Sequence, residues 1–190
     1  DRGLVYLLNM WPDIKREVPQ AHLEIFYGWI LYDVVHANNP ARVKWKVQMQ
    51  ELMRQDGITE HGRIGHTELN KEFATSGIFA YPCAFEEIYC INAARAQACG
   101  AIPVVPNYAA LKETVRFGEK LNIDITDSAG QEEYKKALFL VYDANDSYPN
   151  PGAVGTVCLG DYPDNLCGWN NARPENATLN NQVDDFLPSL

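Results

Sequence analysis

The sequence predicts an α/β domain built on a parallel sheet with helices on both faces. Three observations lead there. Short apolar runs such as "IFAYP" and "AIPVV" alternate with helical text of ten or more residues, the pattern of strand–helix–strand units. Gly28, Pro82 and Gly100 punctuate the boundaries, as glycine and proline do at element ends. The 190 residues are 46% hydrophobic and 22% charged, enough for one domain with a sizeable core and no need of cross-links.

Each element has its own signal. Residues 4–18 place Leu4, Leu7, Leu8, Trp11, Ile14 and Val18 at helical spacing. Pro12 falls among them, which predicts a kink or a break into two helices. "AHLEIFYG" alternates Leu23, Ile25 and Tyr27 with polar positions and stops at Gly28, which reads as a strand. Residues 39–55 read as a helix with Asn39 as cap and Pro40 in its first turn. "GITEHGRIG" reads as a short strand and loop. "HTELNKEFATSG" reads as a helix with Thr67 as a candidate cap. "IFAYP" is a strand ended by Pro82. "EEIYCINAARAQACG" is a helix that Gly100 stops. "AIPVV" is a strand and "YAALKETV" a short helix. From residue 144 onward Pro, Gly, Asn and Asp dominate without a period, which predicts an irregular tail over 144–190 behind a domain over 1–143.

Charge and cysteine usage narrow the function classes. A formal net charge of −9 argues against nucleic acid or an anionic membrane surface as a partner held by bulk electrostatics. No apolar run reaches the length of a membrane span. The five cysteines, Cys83, Cys90, Cys99, Cys158 and Cys167, are odd in number and fit no zinc spacing. The first three sit in apolar or helical text, as buried free thiols do, so the expected setting is reducing and cytoplasmic.

Ligands of a parallel sheet bind at the carboxyl ends of the strands, which directs attention to loops 28–39, 61–66, 82–87 and 106–109. The most informative stretch is residues 80–105, "AYPCAFEEIYCINAARAQACGAIPVV". It reads as strand, turn, two glutamates, helix. Unpaired N–H groups and the dipole at a helix start favour an anion. Glu86 and Glu87 have two readings there. They are acidic residues stabilising a first helical turn, or one of them grips ligand hydroxyls while the N–H groups grip a phosphate.

Pro82, Glu87, Ala96, Ala98, Gly100, Pro103 and Val104 fall in register with a known signature. The stretch resembles the donor site of retaining GT-B glycosyltransferases, the large family of group 1 glycosyl transferases. "EIYCI" stands where the commoner form is Glu-Gly-Phe-Gly-Leu. "DRGLVYLLNMWPDIKREVPQAHLEIFYGW", "GITEHGRIGHTELNKEFATSGIFAYP" and "PNYAALKETV" resemble further segments of that family, in the same order. The last is similar to its "G-G-L-P-E-x-V". The resemblance spans roughly residues 1–118. It implies a Rossmann-like sheet forming one half of a GT-B fold.

The resemblance also implies roles. Glu87 would contact hydroxyls of a donor sugar, and the backbone N–H groups of Tyr89, Cys90 and Ile91 would face the distal phosphate. Arg2 would neutralise the leaving diphosphate. Arg63 and Ile64 would lie in the loop that meets the nucleotide base. His61 and His66 flank that loop, as base-site or surface residues. Arg95 departs from the pattern, because a second glutamate usually stands there and holds the ribose. Arginine donates hydrogen bonds but accepts none, so Arg95 either changes ribose binding or pairs with a carboxylate such as Glu86. Glu113 reads as a structural acid, and Trp29 is a candidate stacking residue at the strand end.

The ligand implied is a GDP- or UDP-linked nucleotide-sugar, with no cofactor and no metal. The family's acceptor domain and the first strand of the donor domain have no counterpart here. A lone donor half is expected to bind its ligand without turning it over. Its bared interdomain face is expected to promote self-association. Two other readings stay open. One is a non-catalytic GT-B-like interaction module, and the other a GT-B-type nucleotide-sugar epimerase fragment. A dinucleotide site is disfavoured, since no Gly-x-Gly-x-x-Gly follows a strand.

Overall fold

Helix α1 (Leu4–Glu17) runs through Pro12 as one element, so the break expected at that proline does not occur. Proline has no N–H to offer the carbonyl four residues back. Here Gln55 supplies the missing donor, its Nε2 lying 2.9 Å from the Leu8 carbonyl oxygen. The buried Trp11 indole donates to the Asp56 carbonyl at 2.8 Å. Both bonds tie α1 to the turn at Gln55 and Asp56.

The computed structural model describes residues 2–146. After α1 come β1 (Leu23–Ile25), α2 (Ile30–His36), α3 (Pro40–Leu52), β2 (Ile58–Glu60) and α4 (His66–Ala74). Then follow β3 (Ile78–Ala80), α5 (Ile91–Cys99), β4 (Ile102–Pro106), α6 (Leu111–Thr114), β5 (Glu119–Leu121) and α7 (Ser128–Asp146). Residues 147–190 of the expected irregular tail, with Cys158 and Cys167, lie outside the described residues.

The strands are all parallel, and the alternation along them explains the layers. Ile78 and Ala80 of β3 and Val104 of β4 join one core with Leu8, Trp11 and Ile14 of α1 and Tyr134 and Leu138 of α7. Phe79 and Val105 point the other way, into a second core with Phe73 of α4 and Ala93 and Ala96 of α5. Successive side chains on a strand face opposite sides. The near-continuous apolar text of "IFAYP" and "AIPVV" is therefore what a strand covered on both faces requires. The Tyr134 hydroxyl crosses from α7 to the Val104 carbonyl at 2.7 Å.

Four expectations need correction. A single sheet was expected, but among the described residues β1 pairs with β2, and β3-β4-β5 form a second sheet. Residues of β1 and β3 line one largely apolar cavity. Loop 28–39 contains α2, which has no buried residue and so no core-facing stripe to betray it. Thr67 is not the cap of α4, because Gly65 is. The Glu68 carboxylate folds back so closely that a Cβ on Gly65 would sit 2.4 Å from Oε2. Finally, the helix beginning at Glu86 starts five residues later, at Ile91. Helix α7 continues through 144 to Asp146.

Other sequence signals hold. Asn39 caps α3 by accepting from the Arg42 N–H at 3.2 Å, with Pro40 in the first turn. Gly100 ends α5 in left-handed backbone at φ 99, a conformation glycine adopts without strain.

Candidate functional site

The late start of α5 shapes the site. Cys90 precedes the helix with φ 62 and ψ 72, left-handed backbone that a side chain disfavours. This turn separates Glu86 and Glu87 from the helix, whose first turn carries no acid. The helix-stabilising reading of the glutamate pair is therefore overturned. The segment between β3 and α5 folds onto α6 instead. The Ala110 N–H donates to the Glu87 carbonyl at 3.2 Å. The Tyr108 hydroxyl donates to Glu86 Oε1 at 2.9 Å, and the Thr114 hydroxyl donates to the Tyr89 carbonyl.

Those ties hold Glu87 where two donors converge on one oxygen. Arg2 Nε lies 2.7 Å from Glu87 Oε1, and the Tyr81 hydroxyl lies 2.6 Å from the same atom. The Glu87 side chain is 11% exposed, against 58% for Arg2. The Arg2 guanidinium also sits over the Phe85 ring, 4.7 Å from its centroid. The bond to Glu87 raises the Arg2 pKa above its usual value. Burial, reinforced by the bond to the Glu87 carboxylate, pushes the Tyr81 phenol up, so it stays protonated and donates.

The thiols beside this site, Cys83 and Cys90, are buried free cysteines. Burial pushes the Cys83 thiol up and the Cys90 thiol up to about 11. A thiol must ionise to act as a nucleophile, so the local chemistry belongs to the carboxylate, the cation and the backbone. Among the described residues no backbone carbonyl accepts from the N–H groups of Tyr89, Cys90 or Ile91. These are the orphan donors that a helix start leaves for an anion.

The sequence-derived residues thus fall into three groups. Arg2, Glu87, Tyr89, Cys90 and Ile91 gather at the carboxyl end of β3. Arg63 and Ile64 follow β2, and Arg63 packs against Gly28, where an added Cβ would come within 3.0 Å of the Arg63 Cβ. Arg95 lies on α5 with its Nη2 3.4 Å from His66 Nδ1. Its expected partner Glu86 is engaged by Tyr108 instead. His61 pairs with Glu24 at 2.5 Å and stacks on Phe26. Glu113 is exposed on α6. Trp29 donates to Glu60 at 2.7 Å and meets Tyr27, Tyr32 and Trp45 edge-on.

Sequence reasoning missed Tyr81 and Tyr108. Tyr81 stands between the last β3 residue and Pro82, a strand-end position at which a tyrosine can aim its hydroxyl along the sheet edge. Tyr108 carries no sequence signal of its own.

No protein-family model matches the chain. No curated protein matches it either. Among the described residues no group of three or more His, Cys, Asp or Glu is placed to hold a metal ion. Among them, too, no helix is long and apolar enough to cross a membrane.

Proposed function

We propose that this chain is the donor-binding, Rossmann-like half of a retaining GT-B glycosyltransferase, binding a GDP- or UDP-linked sugar at the carboxyl ends of β3 and β4. One observation carries the reading. The Glu87 carboxylate, its side chain 11% exposed, lies beside the Arg2 guanidinium, directly ahead of a helix start where, among the described residues, no backbone carbonyl accepts from the N–H groups of Tyr89, Cys90 or Ile91. Carboxylate, cation and helix start are the three chemistries that sugar hydroxyls and a diphosphate call for. Backbone conformation adds support. Among the described residues, Cys90 and Ala109 are the two non-glycine residues with positive φ. Both stand where the family's patterns carry glycine.

The division of labour follows from donor capacity. Arg2 commits its Nε to Glu87 and keeps its remaining N–H groups for phosphate oxygens. The N–H groups of Tyr89, Cys90 and Ile91 take the distal phosphate. Glu87 Oε2, which binds no described residue, accepts from sugar hydroxyls. During transfer, Arg2 and the helix start stabilise the charge gathering on the leaving diphosphate. Arg63 and Ile64 meet the base. Transfer itself needs an acceptor half, so the chain alone binds and does not turn over. Buried free thiols fit a reducing, cytoplasmic setting.

One observation favours a second reading, a GT-B-like module that binds no donor. Arg95 faces His66, which leaves the ribose without the carboxylate the family supplies. Amide chemical shifts separate the two readings. Added UDP or GDP moves the resonances of Tyr89, Cys90, Ile91 and Asn92 if the donor reading holds. A folded chain whose amide spectrum ignores both nucleotides contradicts it.

A further inference from the structure

Helix α2 is turned inside out for a surface helix. Its polar and aromatic side faces the protein. Tyr32 stacks on Trp45 of α3, with ring centroids 5.5 Å apart, and its hydroxyl donates to the Arg42 carbonyl at 3.0 Å. The Asp33 carboxylate accepts from Lys46 Nζ at 2.7 Å. Ile30, Leu31, Val34 and Val35 fall on the opposite side by helical spacing, and they are 79%, 73%, 74% and 64% exposed. A surface helix normally turns such a stripe to the core. A contiguous apolar patch left outward marks a surface that something covers.

We propose that residues 183–190 of this chain cover the outward face of α2. Composition, charge and reach select them. The segment holds Val183, Phe186, Leu187 and Leu190 beside Asp184 and Asp185, apolar groups for the stripe and acids for its surroundings. Residues 30–50 carry Arg42, Lys44 and Lys46 against one acid, Asp33. Residues 147–190 carry five acids against Arg173 alone. The two regions therefore attract each other, whereas a second copy of α2 and α3 would bring like charges together. Helix α7 ends at Asp146, and residues 147–182 can span about 120 Å when fully extended. A domain of this size has a radius of gyration of roughly 15 Å, so the tether reaches α2 from any side. A tethered segment also meets its site at an effective concentration up to about millimolar, which favours it over a free partner at micromolar concentration. The proposal does not depend on what the neighbouring site binds.

The test is amide hydrogen exchange of the full chain and of the double variant Phe186→Asp, Leu187→Asp, each at two protein concentrations. Exchange reports how often a local element opens. The double variant is expected to speed exchange of the α2 amides of residues 33–36 about tenfold and to leave α1 and α7 unchanged, equally at both concentrations. Phe186→Leu, which keeps the apolar contact, is expected to preserve the native rates. The reciprocal change Val34→Asp should speed exchange at residues 186 and 187. Unchanged α2 rates in the double variant overturn the proposal. So does α2 protection that grows with protein concentration, because a second copy is then the cover.

Discussion

Arg2 and Glu87 meet at 2.7 Å across 85 residues of chain, and the meeting sets how the candidate site should respond to mutation. Arg2 is the more exposed partner, and an exposed ion pair contributes at most about 1 kcal/mol. Arg2→Ala should therefore change stability by no more than about that amount. Its effect on a diphosphate should be larger, because the free N–H groups are lost. The expected outcome is a roughly tenfold weaker affinity for UDP or GDP, about 1.4 kcal/mol, with Arg2→Lys in between. Nucleotide titration beside thermal denaturation checks both. Unaltered affinity in Arg2→Ala would remove Arg2 from the site.

Cys90 gives the fold a dependence on alkaline pH. Burial keeps its thiol protonated to about 11 in the folded protein, against 9.0 as the ordinary value. The folded state therefore holds a proton that the unfolded chain releases. This contribution is intact below pH 9 and is lost as pH rises through about 11, reaching roughly 2–3 kcal/mol. Urea denaturation between pH 8 and 11 should show stability falling with pH, and Cys90→Ala should flatten the slope. Equal slopes in the two proteins would contradict the burial argument.

Pro12 and Gln55 form a matched pair in α1. The proline leaves the Leu8 carbonyl without its helical donor, and Gln55 Nε2 satisfies it at 2.9 Å. A half-buried acceptor left unpaired costs about 1–3 kcal/mol. Gln55→Leu should destabilise by that order. In a Pro12→Ala background, where the helix supplies its own N–H, the same change should cost markedly less. A double-mutant cycle by chemical denaturation measures the difference, and additive effects would refute the coupling.

Much of the fold can be read from residues whose environment is local. Asn39 and Pro40 mark the start of α3, Gly100 the end of α5, and the apolar text of β3 and β4 implies cover on both faces. What escaped depends on tertiary contact. Helix α7 does carry a core-facing stripe, Tyr134, Leu138, Val141 and Tyr142, which the sequence reading passed over. β5 is three residues with two of them exposed, too short and too polar for a strand signal. The start of α5 was misplaced because Cys90 adopts left-handed backbone, which nothing in its residue type foretells. Of the site, the pairing of Arg2 with Glu87 rests on a fold-level approach that only the structure reveals. Tyr81 was missed for the same reason.

The measurement that bears most directly on the donor reading is a calorimetric titration of the native chain and Glu87→Ala with UDP, GDP and their hexose conjugates. The account predicts that the native chain binds one nucleotide in preference to the other and its sugar conjugate more tightly still, by roughly tenfold, the worth of one charge-assisted contact. Glu87→Ala should keep the nucleotide affinity within about twofold and lose the gain from the sugar. Identical sugar gains in the two proteins, or no binding of any of these ligands by the folded native chain, would contradict it.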